Sequence, residues 1–296
     1  MKKVLTVFVT AAIFAALTGC GQDKVAQGPF VGVDSVAATD GVMIQYEVQG
    51  AGEKALVLVH CWSCDRSYWS TQVEALKEDY RVVTLDLPGH GESGANRQQW
   101  TLQQYGEDVA TVVNKLRLEE VILVGHSMGG TVIIEAARVL GDRVVALVGV
   151  DTYQRFDSGS TPEEIEAFVA PFREDFPERT AEMVRNIFGV GADSALVEWV
   201  VVDMSDTDPE VAVALFEELF GYDAVAALAE MRKPVWAING DKWPVDVENN
   251  RKVAETFEVI IIPSTGHFPH MEEPEAFNAE LVKVLGQIWP VGTPEG

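Results

Sequence analysis

The sequence predicts an α/β fold in which a mostly parallel sheet is flanked by helices. From residue 36 onward, short apolar runs bounded by turn residues alternate with amphipathic helical patterns, as expected when helical crossovers connect parallel strands. The runs are rich in β-branched residues and apolar at consecutive positions, which is typical of strands covered by helices on both faces. We therefore expect one α/β domain at residues 36–290.

The boundaries of the predicted elements can be read from this alternation. Strands are expected at Ala55–Val59, Val82–Leu87, Val121–Val124, Val144–Val150, Val235–Ile238 and Val259–Ile262. Helices are expected at Ser67–Lys77, Leu102–Leu116, Met128–Leu140, Val247–Phe257 and Pro274–Trp289. An antiparallel hairpin is expected before them, formed by Val42–Val48 and the residues preceding Gly41.

Residues 155–230 interrupt the alternation. They contain no apolar run typical of a buried strand, but they show amphipathic helical patterns such as Thr161–Val169 and Pro209–Phe220. The stretch is predicted to form a helical lid inserted after the sixth strand. It holds 18 acidic and four basic residues, so the lid itself is strongly negative.

The charge balance restricts the partners of the chain. Its 296 residues include 22 Lys and Arg against 46 Asp and Glu, a formal net charge of −24. Such a field repels nucleic-acid phosphates, so no nucleic-acid partner is expected. It also disfavours strongly anionic substrates, and we expect a small neutral or cationic one. The sequence leaves the oligomeric state open.

The first residues have the pattern of an export signal. Residues 1–19 combine a basic start with the apolar run Val4–Leu17, too short to span a bilayer comfortably. The run ends in Leu-Thr-Gly-Cys20, which resembles a bacterial lipobox. This resemblance implies a diacylated Cys20 as the mature N-terminus, a flexible tether at 20–35 and membrane contact through the lipid anchor only, outside the cytoplasm. An ordinary signal peptide with an incidental cysteine is the alternative.

Two further cysteines, Cys61 and Cys64, are separated by two residues. If Cys20 carries lipid, an oxidising compartment favours a disulfide between these two. Free thiols and a redox-active Cys-x-x-Cys pair are the alternatives. Two cysteines alone do not make a zinc site, and no metal is expected.

The strongest chemical signal is the run Gly125-His126-Ser127-Met128-Gly129. It follows a predicted strand directly and opens a predicted helix, which is the context required of a Gly-x-Ser-x-Gly nucleophile elbow. The turn lifts the Ser127 hydroxyl clear of the sheet and places it at a helix N-terminus, where developing negative charge is stabilised. We expect Ser127 to be a nucleophile.

Three further motifs complete a family pattern. His60-Cys61-Trp62 follows the first parallel strand, Asp86-Leu87-Pro88-Gly89-His90-Gly91-Glu92-Ser93 follows the next, and Gly266-His267 follows the last. In order and spacing, these motifs and the elbow resemble the α/β-hydrolase family.

The resemblance implies an eight-stranded sheet with a helical lid and a set of site residues. It implies Ser127 as nucleophile, His267 as general base, with His270 as the alternative, and the backbone N–H groups of Trp62 and Met128 as oxyanion donors. His90 is expected to be structural. Cys61 departs from the family pattern, which usually has glycine at this position.

The acid that orients the base is the open question. The family usually has Gly-x-x-Asp after the seventh strand, but here that register puts Trp243 where the acid stands. Asp151 ends the sixth strand, a position where some haloalkane dehalogenases of this fold carry their acid, and it is our first choice. Asp241 and then Asp246 are the alternatives.

These residues predict a serine-dependent hydrolase of a carboxylic ester or lactone that works through an acyl-enzyme and needs no cofactor. Carbon–carbon bond hydrolases and perhydrolases share the motifs and stay open as alternatives. A non-enzymatic ligand sensor of hydrolase-like fold is the competing class, motivated by Trp243 and Cys61.

Overall fold

The computed structural model describes residues 29–289. The predicted signal peptide at 1–19, Cys20 and most of the predicted tether lie outside the described residues. Within residues 29–289, no helix is both long enough and apolar enough to cross a membrane.

A single sheet runs through the described part of the chain. Its strands are β1 (Gly32–Ala37), β2 (Met43–Gln49), β3 (Ala55–Val59), β4 (Arg81–Leu85), β5 (Val121–His126), β6 (Val144–Val150), β7 (Val235–Gly240) and β8 (Glu258–Ile262). They lie in the order β1-β2-β4-β3-β5-β6-β7-β8. β2 is antiparallel to both its neighbours. The six strands from β3 to β8 pair in parallel. The predicted eight-stranded, mostly parallel sheet is confirmed.

The sheet begins earlier than the sequence predicts. Strand β1 starts at Gly32, so residues 32–35 pair with β2 and are not part of the tether predicted at 20–35. This edge strand is half-buried and holds Asp34 and Ser35, so it lacks the apolar run by which the inner strands are recognised.

The helices alternate with the parallel strands as predicted. They are α1 (Ser70–Leu76), α2 (Leu102–Lys115), α3 (Met128–Leu140), α4 (Pro162–Glu174), α5 (Phe176–Ile187), α6 (Ser194–Ser205), α7 (Pro209–Gly221), α8 (Ala224–Ala229), α9 (Val247–Val253), α10 (Pro269–Glu272) and α11 (Pro274–Ile288). Helices α4 to α8 lie between β6 and β7 and form the lid. Aspartates cap four of them, because a carboxylate at the N-cap accepts hydrogen bonds from the free N–H groups of the first turn.

The core has two layers, one on each face of the sheet. On one face, Val57 and Val59 of β3 pack with α2, α3 and the lid; on the other, Leu56 and Leu58 pack with α1 and α11. All five residues of β3 are buried, which explains why this strand is apolar at every position. Fully burying one such side chain contributes about 1.5–3 kcal/mol, so this double-sided core holds the strand ends in fixed positions.

Candidate active site

Ser127 lies in a sharp turn between β5 and α3. Its φ of +52° is unusual for a residue with a side chain, and its N–H donates to the Val150 carbonyl at 3.0 Å. The two flanking glycines are required by space. A Cβ on Gly129 would lie 2.6 Å from the His60 carbonyl oxygen, and one on Gly125 would overlap the backbone of Gly129. The geometry is that of a nucleophile elbow.

His267 follows β8, and its ring contacts a buried carboxylate. Its Nδ1 lies 2.6 Å from Oδ2 of Asp151, which directly follows β6 and is 2% exposed. The second oxygen, Oδ1, accepts the Gly240 N–H at 3.1 Å, so both carboxylate oxygens are fixed. Because Nδ1–H donates to a carboxylate, the other ring nitrogen, Nε2, is left to accept a proton.

The other two candidate acids have different partners. Asp241 accepts the Ser264 N–H at 2.9 Å, and Asp246 caps α9 by accepting the Asn249 N–H at 3.1 Å. Trp243 lies edge-on to the His267 ring, with centroids 5.9 Å apart. Of the three aspartates that the sequence offers, the structure brings Asp151 to His267.

A cavity of about 640 Å³ opens between the sheet and the lid. Ser127, Asp151 and His267 all line it. Its remaining walls are mainly aliphatic and aromatic, with Ile134 and Tyr153 on the sheet side and Met183, Phe216, Leu219 and Phe220 on the lid side. The site can therefore hold an uncharged, largely apolar molecule against the Ser127 hydroxyl.

Two backbone N–H groups flank the elbow. Those of Trp62 and Met128 donate to no protein acceptor among residues 29–289, so both are free to bind an oxygen. Met128 is the first residue of α3, where the helix dipole adds positive potential. The Trp62 indole is committed elsewhere, since its Nε1 donates to the Ala212 carbonyl of α7 at 2.7 Å and its ring stacks on Phe216.

Comparison with known proteins places this site in a family. The model of the alpha/beta hydrolase family matches residues 56–280. The chain belongs to this family. It is similar to a pimeloyl-[acyl-carrier protein] methyl ester esterase of Pectobacterium carotovorum, with 27% identity over 81% of this chain and 97% of that protein. It is also 29% identical to the dihydrolipoyllysine-residue acetyltransferase component of an acetoin cleaving system of Cupriavidus necator, over 84% of this chain and 68% of that protein.

A solved structure supports the same assignment. A thermophilic esterase from Thermogutta terrifontis superposes with a TM-score of 0.76 and 25% identity, covering 87% of this chain and 99% of that one. The esterases among these relatives support hydrolase activity for this α/β hydrolase.

The loop that follows β3 in this α/β hydrolase contains a disulfide. Cys61 and Cys64 are bonded to each other, and both are buried. The φ of Cys61 is not in the left-handed region, so this backbone accepts a side chain where the family pattern has glycine.

The other four histidines are buried. Burial lowers the pKa of His90 and of His270 to about 3, and it also lowers the pKa of His60 and His126. His90 accepts the Ser63 N–H at 3.3 Å, a structural contact. His270, the alternative base, is fully buried and does not line the cavity.

Two residues that the sequence did not single out hold the His267 loop. The Glu272 carboxylate accepts the N–H groups of Gly189, Gly266 and Phe268 at 2.8–3.1 Å, which joins the α5–α6 connection of the lid to this loop. His126 Nε2 contacts the His267 carbonyl at 2.7 Å. In the sequence, the only sign of this contact is that Glu272 lies five residues after His267, close enough for its carboxylate to reach back to the same loop. In the described chain, no group of three or more His, Cys, Asp or Glu side chains is placed to hold a metal ion.

Proposed function

We propose that this α/β hydrolase cleaves a carboxylic ester or lactone with Ser127 as nucleophile, His267 as general base and Asp151 as the orienting acid. The observation that carries the proposal is the 2.6 Å contact between Asp151 and His267 at a cavity that Ser127 also lines. The apolar walls support a neutral substrate, and the esterases among the relatives support the bond type.

The proposed reaction has two halves. Ser127 Oγ attacks the substrate carbonyl while His267 Nε2 takes the hydroxyl proton, and Asp151 stabilises the imidazolium. The oxyanion accepts hydrogen bonds from the Trp62 and Met128 N–H groups. His267 then donates the proton to the leaving alkoxide, and the acyl-enzyme forms. In the second half, water attacks the acyl carbonyl with His267 as base, which releases the acid and frees Ser127.

Labelling with a fluorophosphonate tests the nucleophile without knowledge of the natural substrate. The wild type should be labelled at Ser127, and the Ser127→Ala variant should be neither labelled nor active on p-nitrophenyl butyrate, with a loss of at least about 10⁴-fold in turnover. Ser205→Ala is the matched control, because that hydroxyl contacts the Pro177 carbonyl at the exposed end of α6. An unlabelled wild type, or a Ser127→Ala variant within a few-fold of wild type, would contradict the proposal.

A further inference from the structure

The loop that carries one proposed oxyanion donor is a four-residue turn. The Cys64 N–H donates to the Cys61 carbonyl at 3.3 Å, which closes a turn with Trp62 and Ser63 at its centre. Ser63, the third residue, has a φ of +54°. A turn with positive φ at this position favours glycine or asparagine, because a Cβ is disfavoured there. Serine at position 63 therefore disfavours the backbone conformation that this turn adopts.

The hydrogen bonds donated by the backbone N–H groups of Ser63 and Cys64 in this turn are both long, at 3.3 Å. The shorter contact, 2.7 Å between His60 Nδ1 and the Cys61 carbonyl, holds only the start of the turn. The Ser63 hydroxyl is buried without a hydrogen-bond partner among the described residues. The Cys61–Cys64 disulfide, by contrast, joins the first and fourth residues of the turn directly. Because it spans both central residues, it closes a ring that includes the peptide groups of Trp62 and Ser63.

The same turn sits against the proposed nucleophile. The start of α3 packs directly on the backbone that leads into the turn, since a Cβ on Gly129 would overlap the carbonyl oxygens of Val59 and His60. Cys61, Trp62 and Ser127 line one cavity. A change in the turn therefore changes the position of the Trp62 N–H relative to Ser127.

We propose that the Cys61–Cys64 disulfide is a positioning element that keeps the Trp62 N–H directed at the oxyanion. This inference rests on the proposed serine mechanism. The Trp62 side chain is anchored independently, by Ala212 and by stacking on Phe216 with ring centroids 4.0 Å apart. Loss of the disulfide therefore leaves the wall of the cavity in place and releases the backbone donor, which acts in the transition state.

The test compares the wild type with the double variant Cys61→Ser/Cys64→Ser in p-nitrophenyl ester hydrolysis. Removing one oxyanion donor entirely costs about 10²–10³ in kcat, so a loosened donor should lower kcat by at least about tenfold. KM should change less than about twofold, because binding in the ground state does not use the donor fully. The rate of fluorophosphonate labelling should fall in parallel with kcat.

Ser63→Gly in the disulfide-free variant supplies a rescue. Glycine adopts positive φ without a steric penalty, so the turn regains its conformation and kcat should recover by at least about threefold. A second arm keeps the test independent of how the variant folds. Dithiothreitol reduces the wild-type disulfide to two thiols while forming its own cyclic disulfide, and because the bond is buried, iodoacetamide labelling and peptide mass must first establish that it is reduced. In the reduced wild type, kcat should fall to the value of the double variant, which dithiothreitol leaves unchanged.

Three results overturn the inference. They are a double variant with wild-type kcat, a rise in KM at constant kcat, and Cys61 and Cys64 found as free thiols by iodoacetamide labelling and peptide mass in wild type purified without reductant. An equal rate of fluorophosphonate labelling in the wild type and in the double variant refutes the positioning role of the disulfide and leaves the proposed function standing. A wild type that is not labelled at Ser127 refutes the proposed function, and this inference falls with it.

Discussion

At the scale of single residues, Asp151 contacts the His267 imidazole from the end of β6 and not from β7. It follows β6, while the chain position usual for the acid in the family follows β7 and holds Trp243. Asp151 has a φ of +41° and is held by Gly240 and by its own N–H, which donates to the Ile238 carbonyl at 3.1 Å. These contacts across to β7 bring the carboxylate to His267.

Asn substitution tests this assignment. Asp151→Asn keeps the shape but presents an amide to His267 Nδ1, so the wrong tautomer is favoured and kcat should fall by about 10⁴-fold, as in serine proteases. Asp241→Asn and Asp246→Asn are the matched controls and should stay within a few-fold of wild type, since their carboxylates bond to Ser264 and Asn249. Steady-state kinetics with thermal melts would check this. A large loss at Asp241 with little change at Asp151 would move the acid to the seventh strand.

His270 should make the stability of the fold depend on pH. Burial first, and then the charge of His267, lowers the pKa of His270 to about 3, and both of its ring nitrogens lack a partner in the described structure. Its unfolded pKa is near 6.5, so between pH 6.5 and 3 the unfolded chain binds a proton that the folded protein does not. The free energy of unfolding is therefore unaffected by the protonation of this histidine at pH values well above 6.5, and it decreases as the pH falls from about 6.5 toward 3.

Replacing this histidine should reduce the acid sensitivity. In His270→Leu, the slope of the free energy of unfolding between pH 6 and 5 should be smaller by about 1.4 kcal/mol per pH unit, the value for one proton. Asp108, whose pKa is raised to about 6 by burial, acts in the opposite direction in both proteins and cancels in the difference. Urea unfolding at several pH values gives the slopes. Equal slopes in the two proteins would show that another group takes up the proton.

At the scale of elements, the sequence predicts best where chemistry and packing agree. Helix α3 begins and ends at the predicted residues, and β5 is only two residues longer than predicted, because the elbow glycines and the buried core constrain both. The sequence predicts a strand before Gly41 but not its start, because residues 32–35 of this half-exposed edge strand form no apolar run.

The lid could be predicted only as helical. Its five helices are separated by short capped turns, and their contacts with the cavity depend on tertiary packing that no local pattern encodes. The same limit applies at the site. The contact between Glu272 and Gly189 joins elements 83 residues apart, and the bond from the Trp62 indole to Ala212 joins elements 150 residues apart. Sequence motifs identify the proposed reactive groups, and long-range contacts of this kind hold the loops that carry them.

At the scale of the whole molecule, charge is the dominant feature. The lid holds 18 acidic and four basic residues of a chain with net charge −24. Each of the four lid arginines is paired with a lid carboxylate: Arg155 with Asp157, Arg173 with Glu166 and Glu217, Arg179 with Glu182, and Arg185 with Glu198. The lid that covers the cavity therefore carries a net negative charge, and all four of its arginines, including the cavity-lining Arg155, are engaged by carboxylates.

The field of these lid charges should set a preference for substrate charge. We expect kcat/KM at 10 mM salt to be at least about tenfold higher for the p-nitrophenyl ester of 4-(trimethylammonio)butyrate than for the mono-p-nitrophenyl ester of glutarate. Both charged esters lose hydration on entering an apolar cavity, so their ratio isolates the sign of the field, and p-nitrophenyl hexanoate is the neutral control. At 1 M salt the Debye length is about 3 Å, and the ratio should approach one. A ratio near one at low salt, or one that does not change with salt, would show that the lid charges do not act on the substrate.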